Sequence, residues 1–152
     1  MEREMTFDEA LSRCQMLAAR SECCSSDMML KMQRWQVPAD IRQRVLKQLI
    51  DEKFIDDNRY AISFVRDKTR FNHWGRIKTT LMLRQKKIAP AAIDNAFAEL
   101  PKTDYQKALT YESDKKLKQL RTLQPFERRQ KTAAYLIQKG FEPDLVFKNL
   151  DQ

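Results

Sequence analysis

The side chains of this chain that are best suited to chemistry are cations, and they are densest between residues 66 and 87. That stretch contains one acid, Asp67, and its charges are interrupted by Phe71, His73 and Trp74. Lysine and arginine neutralise phosphates, and aromatic rings can stack on unpaired bases. A solvated helix face usually balances its charges, so this stretch favours binding of a polyanion or an acidic protein, although Trp74 itself fits a structural role better. The candidate binding residues are Arg66, Lys68, Arg70, Arg76, Lys78, Arg84, Lys86 and Lys87.

A second and weaker set of cations follows between residues 115 and 131. Its acidic neighbours Glu112, Asp114 and Glu127 offset part of the charge. A solvated face and a contact surface are therefore equally good interpretations of this set. Its candidate binding residues are Lys115, Lys118, Arg121, Arg128, Arg129 and Lys131.

The charge of the whole chain is distributed unevenly. Residues 1–57 hold 9 basic and 11 acidic side chains, residues 58–104 hold 10 and 4, and residues 105–152 hold 10 and 6. The formal net charge is +8 at pH 7. This asymmetry predicts a polyanionic partner that contacts mainly the last two thirds of the chain.

Catalysis and cofactor binding find little support among these residues. His73 is the only histidine, and it has basic neighbours with no carboxylate at a useful spacing, so we interpret it as a turn residue. Asp56 and Asp57 are explained by helix capping, with Asp57 as the expected N-cap. Gly75 and Gly140 are the only glycines, which excludes Walker-type and dinucleotide-binding loops. We therefore predict a protein that is not an enzyme and that has no cofactor or metal site.

The cysteines and the hydropathy pattern indicate in which cellular compartment the protein is found. Cys14, Cys23 and Cys24 are odd in number, which favours a reducing environment over a disulfide framework. Cys14 lies on an apolar helix face and is expected in a core, whereas Cys23 and Cys24 are expected to be free thiols in a turn. No signal peptide is visible, and no apolar run approaches the ~18 residues of a membrane span. We expect a cytoplasmic protein.

The elements that position these side chains are predicted by a module that occurs three times. In each copy a helix closes on an apolar turn residue, a proline follows, and a second apolar helix begins. Successive turn residues are 51 and 53 residues apart, and a repeat of roughly 50 residues is one supersecondary unit that buries its apolar face against its neighbours. We predict three-helix units over 6–55, 56–102 and 103–151. The turn residues are Val37, Ile88 and Phe141, and the prolines are Pro38, Pro90 and Pro143.

Local signals indicate that these units are helical throughout. Strong helix formers dominate the composition, which predicts an all-α chain of about nine helices. Thr6 followed by Glu9 has the form of a capping box. Residues 72–75 are predicted to form a turn between two helices, and Gly140 fits the left-handed position that ends a helix.

Three segments resemble the RecX regulatory proteins of bacteria. The most specific is 55–70, IDDNRYAISFVRDKTR, which is similar to the signature that opens the second repeat of that family. Residues 75–88, GRIKTTLMLRQKKI, resemble the family's Gly-x-x-Arg-Ile-x-x-x-Leu-x-x-Lys-Gly-Ile pattern, with Lys87 in place of its second glycine. Residues 131–146, KTAAYLIQKGFEPDLV, match its Lys/Arg-Gly-Phe turn. The first repeat departs most, since its turn at 34–37 lacks Lys-Gly-Phe.

This resemblance, over about residues 6–150, implies an architecture and a partner. The family has tandem three-helix, helix-turn-helix-like repeats in a curved array. It binds the RecA recombinase, mostly as the RecA–DNA filament, by lying in the filament's helical groove. It thereby inhibits the ATPase, strand-exchange and co-protease activities of RecA, and many members bind single-stranded or duplex DNA directly. We accordingly expect a monomer that does not bind membranes.

Two other interpretations stay open at the level of sequence. The first is a helix-turn-helix transcription regulator that uses the helix near 76–87 to read duplex DNA. The second is a pure protein-binding scaffold whose positive charge serves an acidic partner. Under the main interpretation, reversing Arg70, Arg76, Lys78 and Lys86 to glutamate should abolish inhibition and leave the fold intact. The reason is that these side chains lie among the apolar helix positions and do not occupy them.

Overall fold

The computed structural model describes residues 3–152, and over this range the chain forms nine α-helices, one short π-helical turn and no strand. The prediction of an all-α chain of helical repeats is confirmed. The helices are α1 (Phe7–Arg20), α2 (Ser25–Arg34), α3 (Ala39–Asp51), α4 (Asp57–Asp67), α5 (Arg76–Gln85), α6 (Pro90–Glu99), α7 (Lys102–Gln119), α8 (Pro125–Gln138) and α9 (Pro143–Leu150). The π-turn, Lys68–Asn72, continues α4 directly. No helix among residues 3–152 is both long and apolar enough to cross a membrane.

The nine helices pack around three hydrophobic cores, one for each successive group of three helices. The apolar turn residues Val37, Ile88 and Phe141 are each buried in the core of their own group. Each core is small, which agrees with a repeat that depends on its neighbours for stability. The boundaries at 55–56 and 102–103 stay a prediction. The main members are Cys14, Met28, Met32, Val45 and Leu49 in the first core, Tyr60, Val65, Leu83, Ile93 and Phe97 in the second, and Leu109, Leu136 and Val146 in the third.

The cysteines divide between two cores. Cys14 lies in the first core, as predicted, and burial raises the pKa of its thiol to about 11. Cys24 directly precedes α2 but is fully buried in the second core, the core of the neighbouring group. All three cysteines are free thiols. The prediction of two turn thiols is therefore incomplete, because Cys24 helps to join two groups of helices.

Asp56 and Asp57 have different partners, and the predicted N-cap was wrong. Asp56 accepts hydrogen bonds from the amides of Asn58 and Arg59, at 2.9 and 3.1 Å, and is the N-cap of α4. The Asp57 carboxylate accepts from the amide of Ser25 at 2.8 Å. Ser25 opens α2, so Asp57 satisfies an amide at the N-terminus of a helix in the preceding unit.

The first and second units meet where the N-terminus of α2 contacts the turn between α5 and α6. The Ser26 hydroxyl donates to the Lys86 carbonyl at 2.5 Å. The Lys86 ammonium in turn pairs with Asp27 at 2.8 Å. With the Asp57–Ser25 bond, these contacts attach α2 to both α4 and α5 of the second unit.

The second and third units meet in the same manner, through the N-terminus of α5 and the turn between α8 and α9. The amide of Gly75 donates to the carbonyl of Lys139, and the amide of Ile77 donates to the carbonyl of Gly140, both at 2.9 Å. The Lys139 ammonium donates a hydrogen bond to the carbonyl of Asn72 at 3.0 Å. Amides that the α5 helix cannot satisfy internally are thus satisfied by the neighbouring unit.

The two glycines of the chain contact each other at this junction. A Cβ atom on Gly75 would lie 2.1 Å from the backbone nitrogen of Phe141. A Cβ atom on Gly140 would lie 2.4 Å from the Cβ of Lys78, and Gly140 has a φ of +101°, the left-handed conformation that was predicted for it. Only residues without side chains allow the two backbones to approach this closely.

Candidate nucleic-acid and protein interface

Half of the candidate cations of the second unit form ion pairs. Arg70 pairs with Asp104 of α7 at 2.7 Å, and Lys86 pairs with Asp27 of α2 at 2.8 Å. These two pairs connect the second unit to the third and to the first. The expectation that reversing them leaves the fold intact is therefore wrong, since each reversal would place two carboxylates against each other at a junction. The other two ion pairs lie within the second unit and are Arg66–Asp67 at 3.3 Å and Arg76–Asp94 at 3.5 Å.

The other four cations, called the free cations below, form no ion pair among residues 3–152. Lys68 and Lys78 place their ammonium groups 4.7 and 4.4 Å from the centre of the Trp74 ring, in a double cation–π arrangement. Arg84 and Lys87 are exposed at the C-terminal end of α5 and in the turn that follows. The free cations are Lys68, Lys78, Arg84 and Lys87.

The π-turn sets the shape of the surface beside these cations. It ends at His73, whose φ of 53° reverses the chain so that the amide of Trp74 can donate to the carbonyl of Lys68 at 3.0 Å. Phe71 is left 77% exposed by this geometry. π-helical turns are rare and occur often at functional sites, and here one lies near the start of the most basic stretch, residues 66–87.

A groove of about 860 Å³ separates the π-turn from α7. The rings of His73 and Tyr111 lie against each other in its wall, with centres 4.8 Å apart. Lys107 of α7 and Arg70 both line the groove. Lys107 and Tyr111 were missed by the sequence analysis, because α7 lies outside the basic stretch and only the folded chain brings its face to the π-turn. Cations beside an exposed ring are the arrangement expected of a surface that binds single-stranded nucleic acid.

A buried carboxylate, Glu112, stabilises the junction below this groove. Its Oε1 atom accepts from His73 Nδ1 at 3.3 Å and lies 3.4 Å from the Lys139 ammonium, and its Oε2 accepts from the Tyr135 hydroxyl at 3.1 Å. No carboxylate lies at a useful spacing from His73 in the sequence, but the fold brings Glu112, which is 39 residues away in the sequence, into contact with it. The prediction that His73 is a turn residue agrees with its left-handed conformation.

Burial opposes the ionisation of Glu112, but its surroundings outweigh that effect. The hydrogen bond from His73, the charge of Lys139 and the hydrogen bonds from Tyr135 and Lys139 together hold the pKa of Glu112 below its ordinary value of 4.5. A carboxyl whose pKa is lowered by folding stabilises the folded state above its unfolded pKa, and this stabilisation is lost as the pH falls through the folded pKa.

We expect Glu112→Gln to lower the free energy of unfolding at pH 7 by about 2 kcal/mol, because charged hydrogen bonds at a buried site are replaced by neutral ones. The difference from the wild type should begin to shrink as the pH falls below the ordinary pKa of 4.5, and it should vanish below the lowered pKa of Glu112 in the folded state, where the wild-type carboxyl is also neutral. Urea unfolding at several pH values measures this difference. Glu127→Gln is the matched control, since Glu127 is exposed and pairs only with Lys131 at 3.4 Å. A difference that does not depend on pH would contradict the assignment.

Most candidate cations of the third unit are neutralised or serve packing. Arg129 pairs with Asp151 at 2.7 Å, and Arg128 donates to the carbonyl of Leu117 at 2.7 Å, which attaches α8 to α7. Lys131 and Lys115 have carboxylates at 3.4 and 4.0 Å. Among the predicted residues of this unit, the exposed cations with no ion pair within residues 3–152 are Lys118 and Arg121.

The fold and the surface together define a class of protein. Three-helix units that join through helix N-termini, with four cations of the middle unit that form no ion pair among residues 3–152, make up an all-α tandem-repeat protein. Residues 56–96 match the second three-helix domain of RecX, and residues 103–150 match its third three-helix domain. The chain belongs to the RecX family.

Relatives and solved structures agree with this assignment. The chain is 27% identical over 122 residues to the regulatory protein RecX of Lacticaseibacillus paracasei, covering 80% of this chain and 51% of the relative. It is 32% identical over 117 residues to that of Limosilactobacillus reuteri, covering 76% and 44%. The chain thus spans about half the length of the curated relatives it matches.

Two crystal structures show the same fold. A crystal structure of regulatory protein RecX superposes with a TM-score of 0.86 at 25% identity, over 96% of this chain and 72% of that one. RecX from Lactobacillus salivarius superposes with a TM-score of 0.84 at 17% identity, over 95% and 94%.

Proposed function

We propose that this protein regulates the RecA recombinase by binding its filament on DNA, and that it inhibits the ATPase, strand-exchange and co-protease activities of the filament. Contacts to single-stranded DNA assist the binding. The observation that carries the proposal is the set of free cations, which lies in the segment that matches the second RecX domain. A filament of protein on DNA presents phosphates and carboxylates along an extended surface, and a linear array of units is suited to such a surface.

A helix-turn-helix transcription regulator is supported less well. Such regulators place the N-terminal residues of a recognition helix on base edges in the major groove. In α5 the amides of Gly75 and Ile77 are bound to the carbonyls of Lys139 and Gly140. The turn between α8 and α9 therefore occupies the N-terminal end of α5, which makes insertion of that end into a major groove unfavourable.

The direct experiment is the single-strand-dependent ATPase of RecA, measured with increasing amounts of this protein. We expect the rate to fall to the level without DNA as the protein approaches saturation of the filament. The matched control is the protein with all four free cations replaced by glutamine, which should leave the rate high. An ATPase rate that stays constant at saturating wild-type protein would contradict the proposal.

The salt dependence of binding distinguishes filament from bare DNA. If the free cations contact phosphates, the affinity for bare single strands should fall with a log–log slope of about −2 to −3, because each contact to a single strand contributes about −0.7. Affinity for the RecA filament should fall less steeply, since apolar protein contacts are not screened by salt. Fluorescence anisotropy measures both slopes. Equal slopes would mean that DNA alone is the ligand, and the transcription-regulator interpretation would then be preferred.

A further inference from the structure

The outward side of α5 is apolar where a surface helix should be polar. Thr79 and Leu83 are buried on its inner side, yet Ile77 and Leu81, one turn apart on the other side, are 53% and 56% exposed. Leu30 of α2 occupies the same position of the repeat, 51 residues before Leu81, and it is 49% exposed. Single exposed apolar residues are common. An adjacent pair, with its leucine repeated in the preceding unit, indicates a surface that is covered in use.

A depression of about 520 Å³ lies over this pair, between α5 and the start of α9. Ile77 and Leu81 line it, and Arg76 and Arg84 stand at its edge. Its one carboxylate, Glu142, accepts a hydrogen bond from the Tyr105 hydroxyl. The α5 outer face, defined as Arg76, Ile77, Leu81 and Arg84, therefore presents aliphatic side chains bordered by positive charge.

The same combination continues at the other end of α5. A second depression, of about 390 Å³, lies where α2 meets the turn after α5. Met29 and Leu30 contribute its apolar part, and Lys87, a free cation, lies beside them. Its two carboxylates are already bound, Asp27 by the Lys86 ammonium and Asp57 by the Ser25 amide. Since the N-terminus of α2 contacts this turn, the two depressions follow each other along the first and second units.

The chemistry of this face selects a protein and not a nucleic acid. Phosphates gain nothing from isoleucine or leucine, and bases stack on aromatic rings, of which none lines the depression at α5. The burial of aliphatic side chains is favourable only against other apolar groups. Arg84 forms no ion pair among residues 3–152 and offers its guanidinium to carboxylates around such an apolar centre, and Arg76, which lies 3.5 Å from Asp94, adds a second positive charge.

We propose that the α5 outer face, together with Leu30, docks a protein segment that carries aliphatic side chains flanked by carboxylates. The inference rests on the proposed function and sharpens it, because the segment would belong to the recombinase. Single-stranded DNA would be bound mainly by Lys68 and Lys78 beside Trp74, and Arg84 and Lys87, at the border, would contact both partners. Protein and DNA are then contacted by adjoining surfaces of the second unit.

The test compares two double variants on two ligands. Ile77→Ser with Leu81→Ser should weaken binding to a RecA filament on oligothymidylate at least about tenfold, as expected when two apolar contacts at the centre of an interface are lost. It should change the affinity for bare oligothymidylate by less than twofold. Met16→Ser with Ile50→Ser is the matched control, because these residues are exposed to a similar degree on the first unit, and it should alter neither affinity. Circular dichroism melting confirms that both variants are folded.

The outcomes separate the two proposals. If the wild-type protein binds the filament no better than bare DNA, both the proposed function and this inference are wrong. A wild-type protein that prefers the filament, with an unchanged affinity in the Ile77/Leu81 variant, would overturn the inference alone. An equal loss on both ligands would identify the face as a DNA surface. If the Ile77/Leu81 variant without any ligand sedimented differently from the wild type, the occupant would be a second copy of the chain. This result, like an equal loss on both ligands, would overturn the proposal.

Discussion

Replacing Gly75 by alanine is expected to lower the free energy of unfolding by about 3 kcal/mol, from overpacking and the loss of two backbone hydrogen bonds. Gly75 has an ordinary φ of −79°, so alanine is acceptable to its own backbone. The added Cβ would however lie 2.1 Å from the nitrogen of Phe141 and 2.2 Å from the carbonyl carbon of Gly140. These are backbone atoms that cannot rotate away, and the second and third units must therefore separate.

Urea unfolding measures the loss, and hydrogen exchange locates it. The amides of Gly75 and Ile77 in the wild type should be protected by the carbonyls of Lys139 and Gly140, and the variant should lose protection at residues 75 and 77 before it loses protection in the first core. Gln124→Ala is the matched control, since Gln124 is an exposed N-cap that makes no side-chain capping bond. Wild-type stability in the Gly75 variant would show that the two backbones are not in contact in solution.

Reversing all four free cations to glutamate should lower the affinity for single-stranded DNA at least about 100-fold in ~0.1 M salt and reduce the log–log salt slope by about 3 units. Affinity for the RecA filament should fall as well. The fold should persist, because these residues, Lys68, Lys78, Arg84 and Lys87, make no ion pair within residues 3–152. The expected structural loss is the stacking of the Lys68 and Lys78 ammonium groups on Trp74, together with the longer 5.4 Å contact of Lys68 with the Phe64 ring, at about 1 kcal/mol.

The matched control for this variant reverses two cations of the same unit that do form ion pairs. Arg70→Glu with Lys86→Glu places new carboxylates against Asp104 and Asp27, at the two junctions of the second unit. We expect this control to lower the midpoint of thermal unfolding by several degrees and to weaken DNA binding less. If the free-cation variant unfolded while the control stayed stable, the division between structural and free cations would be reversed.

The helices and their grouping were determined by the sequence alone. The turn residues Val37, Ile88 and Phe141 repeat at intervals of 51 and 53 residues, and each is buried in its own core. Thr6 is the N-cap of α1 as predicted, with the Glu9 amide donating to the Thr6 hydroxyl at 3.2 Å, whereas the Glu9 carboxylate pairs with Arg3 at 2.8 Å. These features depend on residues a few positions apart, and interactions of that range are encoded in local spacing.

The candidate surface was determined by the sequence only in outline. The basic stretch at 66–87 was evident from composition, and the family was evident from the motifs at 55–70 and 131–146. The sequence did not distinguish Lys86, which is held by an aspartate 59 residues away, from Lys87, which is free. Adjacent lysines look alike in sequence, and only the fold brings a carboxylate to one of them.

The junctions between units were decided by tertiary structure. Asp57 caps a helix 32 residues earlier, Glu112 accepts from His73 39 residues earlier, and the backbone at Gly75 contacts that at Gly140. Helical periodicity describes which side of a helix is buried, but it carries no information on which residue of a distant unit will lie opposite. Those partners are fixed by how the units pack, and packing also decides which cations remain available to a partner.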